Sequence, residues 1–188
     1  VQKIIEGFKE NILLSSPVSE VVRDSDGIKV YHDKDKEPQQ FDKVIFATHS
    51  DQALSLLKDP SEKELSILGS LPYQKNIAIL HTDVSLMPKI KTTWSSWNYL
   101  LSSDQGKPVT LTYNMNILQS LDAKPDFLVT LNSTGEIDTT KIIKKIEYHH
   151  PLFTVDGVQA QSRKKEISGI NNTFYCGAYW GNGFHEDG

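Results

Sequence analysis

Cysteine is nearly missing from this sequence. One residue in 188, Cys176, excludes an internal disulfide framework and a cysteine-rich zinc site. Long apolar runs are missing too, and none approaches the ~18 residues a membrane-spanning helix needs. There is no basic excess. Twenty Lys and Arg against 24 Asp and Glu give a net charge of −4, which argues against a general nucleic-acid binder. No basic-then-apolar leader follows Val1, so no signal peptide is expected and the expected location is cytoplasmic. The six histidines (32, 49, 81, 149, 150 and 185) form no H-E-x-x-H or H-x-H motif, and there is no C-x-x-C, so no metal site is expected. Internal repeats and low-complexity segments are absent. Leu, Ile, Val and Phe, by contrast, make up 52 of 188 residues, above the range of disordered chains and enough for one domain or two small ones.

The pattern is of strands punctuated by short helices. Ile4, Ile5 and Phe8 share a helical face in residues 2–9. Residues 17–23 and 28–32 read as strands joined by the turn Asp24-Ser-Asp-Gly27, a hairpin signal. Asp33 to Glu37 reads as a solvated loop. Residues 41–47 form a strand that ends in the apolar Val44-Ile-Phe-Ala47. A helix then follows over 51–57 with Ser50 as its N-cap. Ser61-Glu-Lys-Glu64 is a capping box opening a second helix that ends near Gly69. Further strands are expected at 76–81, 92–99, 109–113, 127–131 and 173–176, while 139–148 suits either helix or strand. The expected class is α+β, a largely antiparallel or mixed sheet with short flanking helices.

The C-terminal stretch is the most informative. Gly177, Gly181 and Gly183 lie within seven residues directly after a strand, where glycine permits positive φ and close backbone approach to a ligand. Gly181-Asn-Gly183-Phe-His-Glu186 begins like a dinucleotide fingerprint but has Glu where the third Gly or Ala belongs. Taken alone, the glycines are better explained by a Gly-rich surface turn.

Phe174-Tyr-Cys-Gly-Ala-Tyr179 followed by Gly183-Phe-His-Glu-Asp-Gly188 resembles the C-terminal flavin segment of predicted bacterial NAD/FAD-binding proteins related to the flavin-containing amine oxidases and phytoene desaturases. Pro17-Val-Ser-Glu-Val-Val22 and Phe41-Asp-Lys-Val-Ile-Phe-Ala-Thr-His-Ser-Asp-Gln-Ala-Leu54 resemble blocks of the same superfamily. So do Ile79-Leu-His-Thr-Asp83, Ser95-Ser-Trp-Asn-Tyr99, Thr112-Tyr-Asn-Met-Asn116, Val129-Thr-Leu-Asn132 and His149-His-Pro-Leu-Phe153. The resemblance spans nearly the whole chain. Such proteins open with a strand and G-x-G-x-x-G, which this sequence lacks, so the expectation is a fragment: FAD-domain elements in 1–70, a substrate-domain sheet in 71–165 and a truncated FAD segment in 166–188.

The resemblance implies FAD as cofactor and an amine or a lipid-like molecule as substrate. It places Val18 by adenine, Ala47 and Thr48 beside the phosphates, and Gly177 and Ala178 by the ribityl or pyrophosphate. It sets Gly183, Phe184 and His185 against the flavin ring, with Glu186 capping a helix that would follow. Amine oxidases bring a Lys near the flavin N5. Here the simplest register puts Asn76 at that position, with Lys75 an exposed strand residue, and this counts against amine oxidation itself. Catalytic residues are not assignable. The leading expectation is a FAD-dependent oxidoreductase of which this chain alone has little activity. The alternative is a non-catalytic binding module on the same fold. Trp94, Trp97 and Tyr99 fit either a packed sheet face or a substrate cavity. Cys176 is expected to be buried and inert. Asn132-Ser-Thr and Asn171-Asn-Thr match the glycosylation pattern without a leader to support it.

Overall fold

A computed structural model describes residues 2–32, 37–101, 110–133 and 137–188, apart from the His185 side chain. The chain divides into two compact units, residues 1–73 with 151–188, and residues 74–150. Residues 151–165, grouped with the second sheet on sequence grounds, fall in the first unit. The architecture is α+β, with two antiparallel sheets, one parallel pair of strands and short helices.

In the first unit, β1 (Val18–Asp24) and β2 (Gly27–His32) form the expected hairpin, and β3 (Gln39–Phe41) pairs with β2. The Asp24 carboxylate accepts the Asp26 N–H at 2.9 Å, an Asx turn that tightens the reversal. Gly27 has φ +124°, and a Cβ there would meet the Phe41 carbonyl oxygen at 2.9 Å, so glycine is required. The parallel pair joins β4 (Val44–Phe46) to β10 (Thr173–Tyr175), with Val44 opposite Thr173 and Phe46 opposite Tyr175. Helices α2 (Ser50–Leu56), α3 (Glu62–Gly69) and α5 (Val155–Ser162) pack around this pair. Val21, Ile28, Phe46, Leu57, Ile67 and Tyr175 are among the core side chains they enclose.

The second unit is a five-stranded sheet in the order β6-β7-β8-β5-β9. The strands are β5 (Tyr73–His81), β6 (Trp97–Leu100), β7 (Thr110–Asn114), β8 (Leu128–Leu131) and β9 (Ile142–Pro151). A short α4 (Met115–Leu118) connects β7 to β8.

Three local expectations are corrected and one left open is decided. The helix over 2–9 is only α1 (Gln2–Ile5), and Ile4 and Phe8 remain exposed, so no core anchors a longer helix. Ser50 is the first helical residue rather than the cap, because His49 has the extended ψ of 154° and Ser50 is drawn inward by Tyr73. Residues 91–93 form a 3-10 turn, so the strand expected from 92 begins only at Trp97. The ambiguous 139–148 segment is a 3-10 turn followed by β9. The loop read at 33–37 is described only at Glu37.

Candidate functional site

The two candidate segments of the first unit leave the same end of the parallel pair. The Cys176 N–H donates to the Phe46 carbonyl at 2.9 Å, so pairing continues to the strand ends. The next residues are Ala47 and Thr48 on one strand and Gly177 and Ala178 on the other. Ala47 and Thr48 lead into α2, and Ala178 opens a 3-10 turn. In parallel α/β structure the crevice outside the carboxyl ends of the strands is where ligands bind.

A cavity of about 420 Å³ opens beside β4. Valines from β1, β2 and β4 with Ile45, Phe46 and Leu56 supply apolar walls, and Ala47, Thr48, Gln52 and Ser55 also line it. Three of the expected cofactor residues, Val18, Ala47 and Thr48, therefore share one cavity. Ile45 is 66% exposed in the middle of β4, although a strand inside a parallel sheet is normally covered on both faces.

The remaining expected residues lie on the loop after β10. Gly177 has φ +150°, and a Cβ there would meet the Tyr179 ring at 2.5 Å. Gly183 has φ +89°, and its Cβ would stand 3.4 Å from the Phe153 ring. Its N–H donates to the Ala178 carbonyl at 3.1 Å, which folds the loop back on itself. Phe184 is 67% exposed, Glu186 is exposed, and His185 begins a 3-10 turn through Asp187. Sequence reasoning missed two residues that shape this loop. The Asp187 carboxylate accepts the N–H groups of Asn182 (2.9 Å) and Phe184 (3.0 Å). The Gln161 amide donates to the carbonyls of Tyr179 (2.9 Å) and Gly181 (2.7 Å). Gln161 sits on α5, whose start carries Gly157 where a capping box needs Glu or Gln. Thr154 caps it instead by accepting the Gly157 N–H at 3.0 Å.

Beside Gly177, the Tyr179 hydroxyl and the Trp180 indole N–H are buried without a hydrogen-bond partner among the described residues. Burial pushes the Tyr179 hydroxyl well above its usual range. Cys176 is half-buried, less enclosed than expected. The first turn of α2 is partly satisfied internally. Ser50 N–H donates to the Tyr73 hydroxyl (2.9 Å), Gln52 N–H to Asp51 (2.9 Å), and the His49 ring stacks on Tyr73 at 4.5 Å.

The unit's strongest electrostatic feature is structural. Arg23 donates to both Glu64 oxygens (2.6 and 3.0 Å), and the Tyr175 hydroxyl and Ser61 N–H donate to the same carboxylate at 2.6 and 2.8 Å. Burial pushes the Glu64 carboxyl up, but the hydrogen bonds from Arg23, Tyr175 and Ser61 outweigh it and hold the group at about 2.

In the second unit Asn76 is buried in β5, while Lys75 is exposed and paired with Glu147 at 2.6 Å. Among the described residues no group of three or more His, Cys, Asp or Glu is placed to hold a metal ion, and no helix is long and apolar enough to cross a membrane.

No family model and no curated protein matches the chain. Solved structures do. Cyclohexylamine oxidase from Brevibacterium oxydans is similar at 11% identity and a TM-score of 0.63, with 98% of this chain and 48% of that one covered. A reduced UDP-galactopyranose mutase gives 12% and 0.60, covering 95% and 45%. A putative protoporphyrinogen oxidase from Exiguobacterium gives 15% and 0.58, covering 95% and 46%. The chain shares its fold with these enzymes and spans less than half of their length.

Proposed function

We propose that this chain is the middle and late part of a FAD-dependent oxidoreductase, with the first unit holding part of the cofactor and the second supplying the substrate sheet. The observation that carries this reading is the meeting of Ala47-Thr48 and Gly177-Ala178 at the carboxyl ends of the parallel pair, with Ala47 and Thr48 also lining the cavity that Val18 lines. The first-unit residues fit such a group. The cavity walls suit a flat heterocycle, and the loop after β10 carries the buried Tyr179 hydroxyl and Trp180 indole N–H without partners among the described residues. The shared fold and the sequence resemblance to flavoenzymes support the same reading.

When bound, FAD takes up a hydride equivalent from a substrate C–N or C–C bond. Val18 contacts the adenine end, Ala47 and Thr48 lie beside the phosphates, and Gly177 and Ala178 lie by the ribityl or pyrophosphate. Gly183, Phe184 and the backbone of His185 face the flavin ring, with Glu186 at the start of the following segment. The isolated 188 residues bind FAD weakly or not at all on this reading, because they hold only part of the cradle. The test is reconstitution of the full-length protein with FAD. Flavin absorbance bands that stay with the protein through gel filtration are expected, and a folded protein that never takes up FAD overturns the assignment.

A further inference from the structure

The sheet of the second unit covers its more polar face. Cross-strand pairing puts Asn98, Thr112, Thr130 and Ile79 in one row and Asn114, Leu128 and His81 in another, all on one face. That face is covered yet rich in polar groups. Thr112, Thr130, Asn114 and His81 are buried, and a hydrogen-bonded chain runs from Thr112 through Thr130 to His81 at 2.9 and 2.7 Å. The opposite face carries Trp97, Tyr113, Val129 and Leu80 in one row and Tyr99, Leu111, Leu131 and Ala78 in the next. Trp97 is 58% exposed and Tyr99 63%. An antiparallel sheet packed on one side normally turns its apolar face to the core and its polar face to water. Here the aromatic edge of the apolar face, Trp97 and Tyr99, is open, the middle is half-buried and Ala78 is covered, and an exposed apolar patch of this kind marks a binding surface.

Charge on this face is one-sided. No Asp or Glu occurs among its described residues on β5 to β8, and on β9 the residues alternating with Tyr148 and His150 are Ile142, Lys144 and Ile146. At one end stands a polar group whose donors can be assigned from the backbone outward. Ile77 N–H donates to Asn132 Oδ1, so Asn132 Nδ2 is the nitrogen that donates to Asn76 Oδ1 at 2.8 Å. Asn76 Nδ2 therefore donates to His150 Nδ1 at 2.9 Å. The neutral His150 ring then carries its hydrogen on Nε2, where it is a free donor for an acceptor.

We infer that this face binds a lipid-like molecule whose acceptor-bearing end, a carboxylate or carbonyl, meets His150 while its hydrocarbon lies across Leu80, Val129, Tyr113 and Trp97. This deepens the oxidoreductase reading, on which it rests for calling the molecule a substrate. A protonated amine finds no counter-charge among the described residues of this surface, and binding it there would desolvate an unpaired cation. Asn76 and His150 act as positioning residues for the polar end.

Fluorescence titration of the chain with cis-parinaric acid, against dansylcadaverine as the cationic probe, tests the inference. Parinarate binding is expected at about micromolar concentration, weakened about tenfold or more by Tyr99→Glu or Trp97→Glu, which put a carboxylate beside the hydrocarbon. Both residues are more than half exposed, Tyr99→Glu is the milder change because Trp97 also meets the Tyr113 ring edge-on, and an unchanged circular dichroism spectrum verifies that each variant is folded. His150→Phe keeps the apolar area and is expected to weaken the acid more than its methyl ester. Tighter binding of dansylcadaverine than of parinarate, or parinarate binding indifferent to all three changes, overturns the inference. Flavin content of the full-length protein separates the two claims. Parinarate binding without flavin would remove the cofactor reading and leave this face, whereas flavin uptake without parinarate binding would do the reverse.

Discussion

At the scale of single residues the largest lever is Glu64. Glu64 is 2% exposed, and its carboxylate holds Arg23, Tyr175 and Ser61 around it. Glu64→Gln leaves the buried Arg23 guanidinium only the half-exposed Asp59, 3.5 Å from its Nε, as counter-charge and is expected to cost on the order of 3 kcal/mol in urea unfolding. The pH dependence follows with a definite sign. A carboxyl lowered from 4.5 to about 2 contributes stability that is complete above 4.5 and is lost as pH falls toward 2. The acid limb of the unfolding curve should therefore be shallower in Glu64→Gln than in wild type. His81 works in the same direction at higher pH. Burial lowers it from 6.5, so its contribution is present above 6.5 and declines as the solution is acidified below that value. The acidic pair partner Glu64 was legible only as a helix cap. Its link to Arg23, 41 residues away, depends on tertiary packing that no local pattern encodes.

Elements were legible where local chemistry and tertiary packing agree. The Asp24–Gly27 turn and the Ser61–Glu64 capping box are both present as read. Ser61→Ala removes the oxygen that accepts the Glu64 N–H at 3.3 Å and is expected to cost about 1 kcal/mol, measured by the shift of the thermal midpoint. The reading failed where packing decides. Residues 2–9 have a helical stripe but nothing to bury it against, and α5 has no capping box because Gly157 occupies the position. That glycine is held by close contact, since a Cβ would approach Thr154 Oγ1 at 3.1 Å and the Ser70 carbonyl at 3.4 Å. At the candidate site, the glycine-rich loop was visible from its spacing. Asp187 and Gln161, which hold its amides and carbonyls, carry no motif and emerge only once β10 and α5 are placed.

At the scale of the molecule, sequence order hides how the chain is divided. The first unit is built from both ends of the chain, which is why β4 and β10, far apart in sequence, meet as parallel neighbours. Alternation predicted the strands of the second unit but not which face is covered, because threonine, asparagine and histidine share its buried rows with Leu128 and Ile79. The central claim is that the loop after β10 and the turn after β4 hold a flavin. The flavin content of the intact protein carrying Gly183→Val, set against wild type purified in parallel, tests it most directly. Valine at φ +89° is strained and its side chain fills the approach beside Phe153. The account predicts flavin bound by wild type and lost from the folded variant; unchanged flavin content in Gly183→Val would contradict it and reduce the loop to a surface turn.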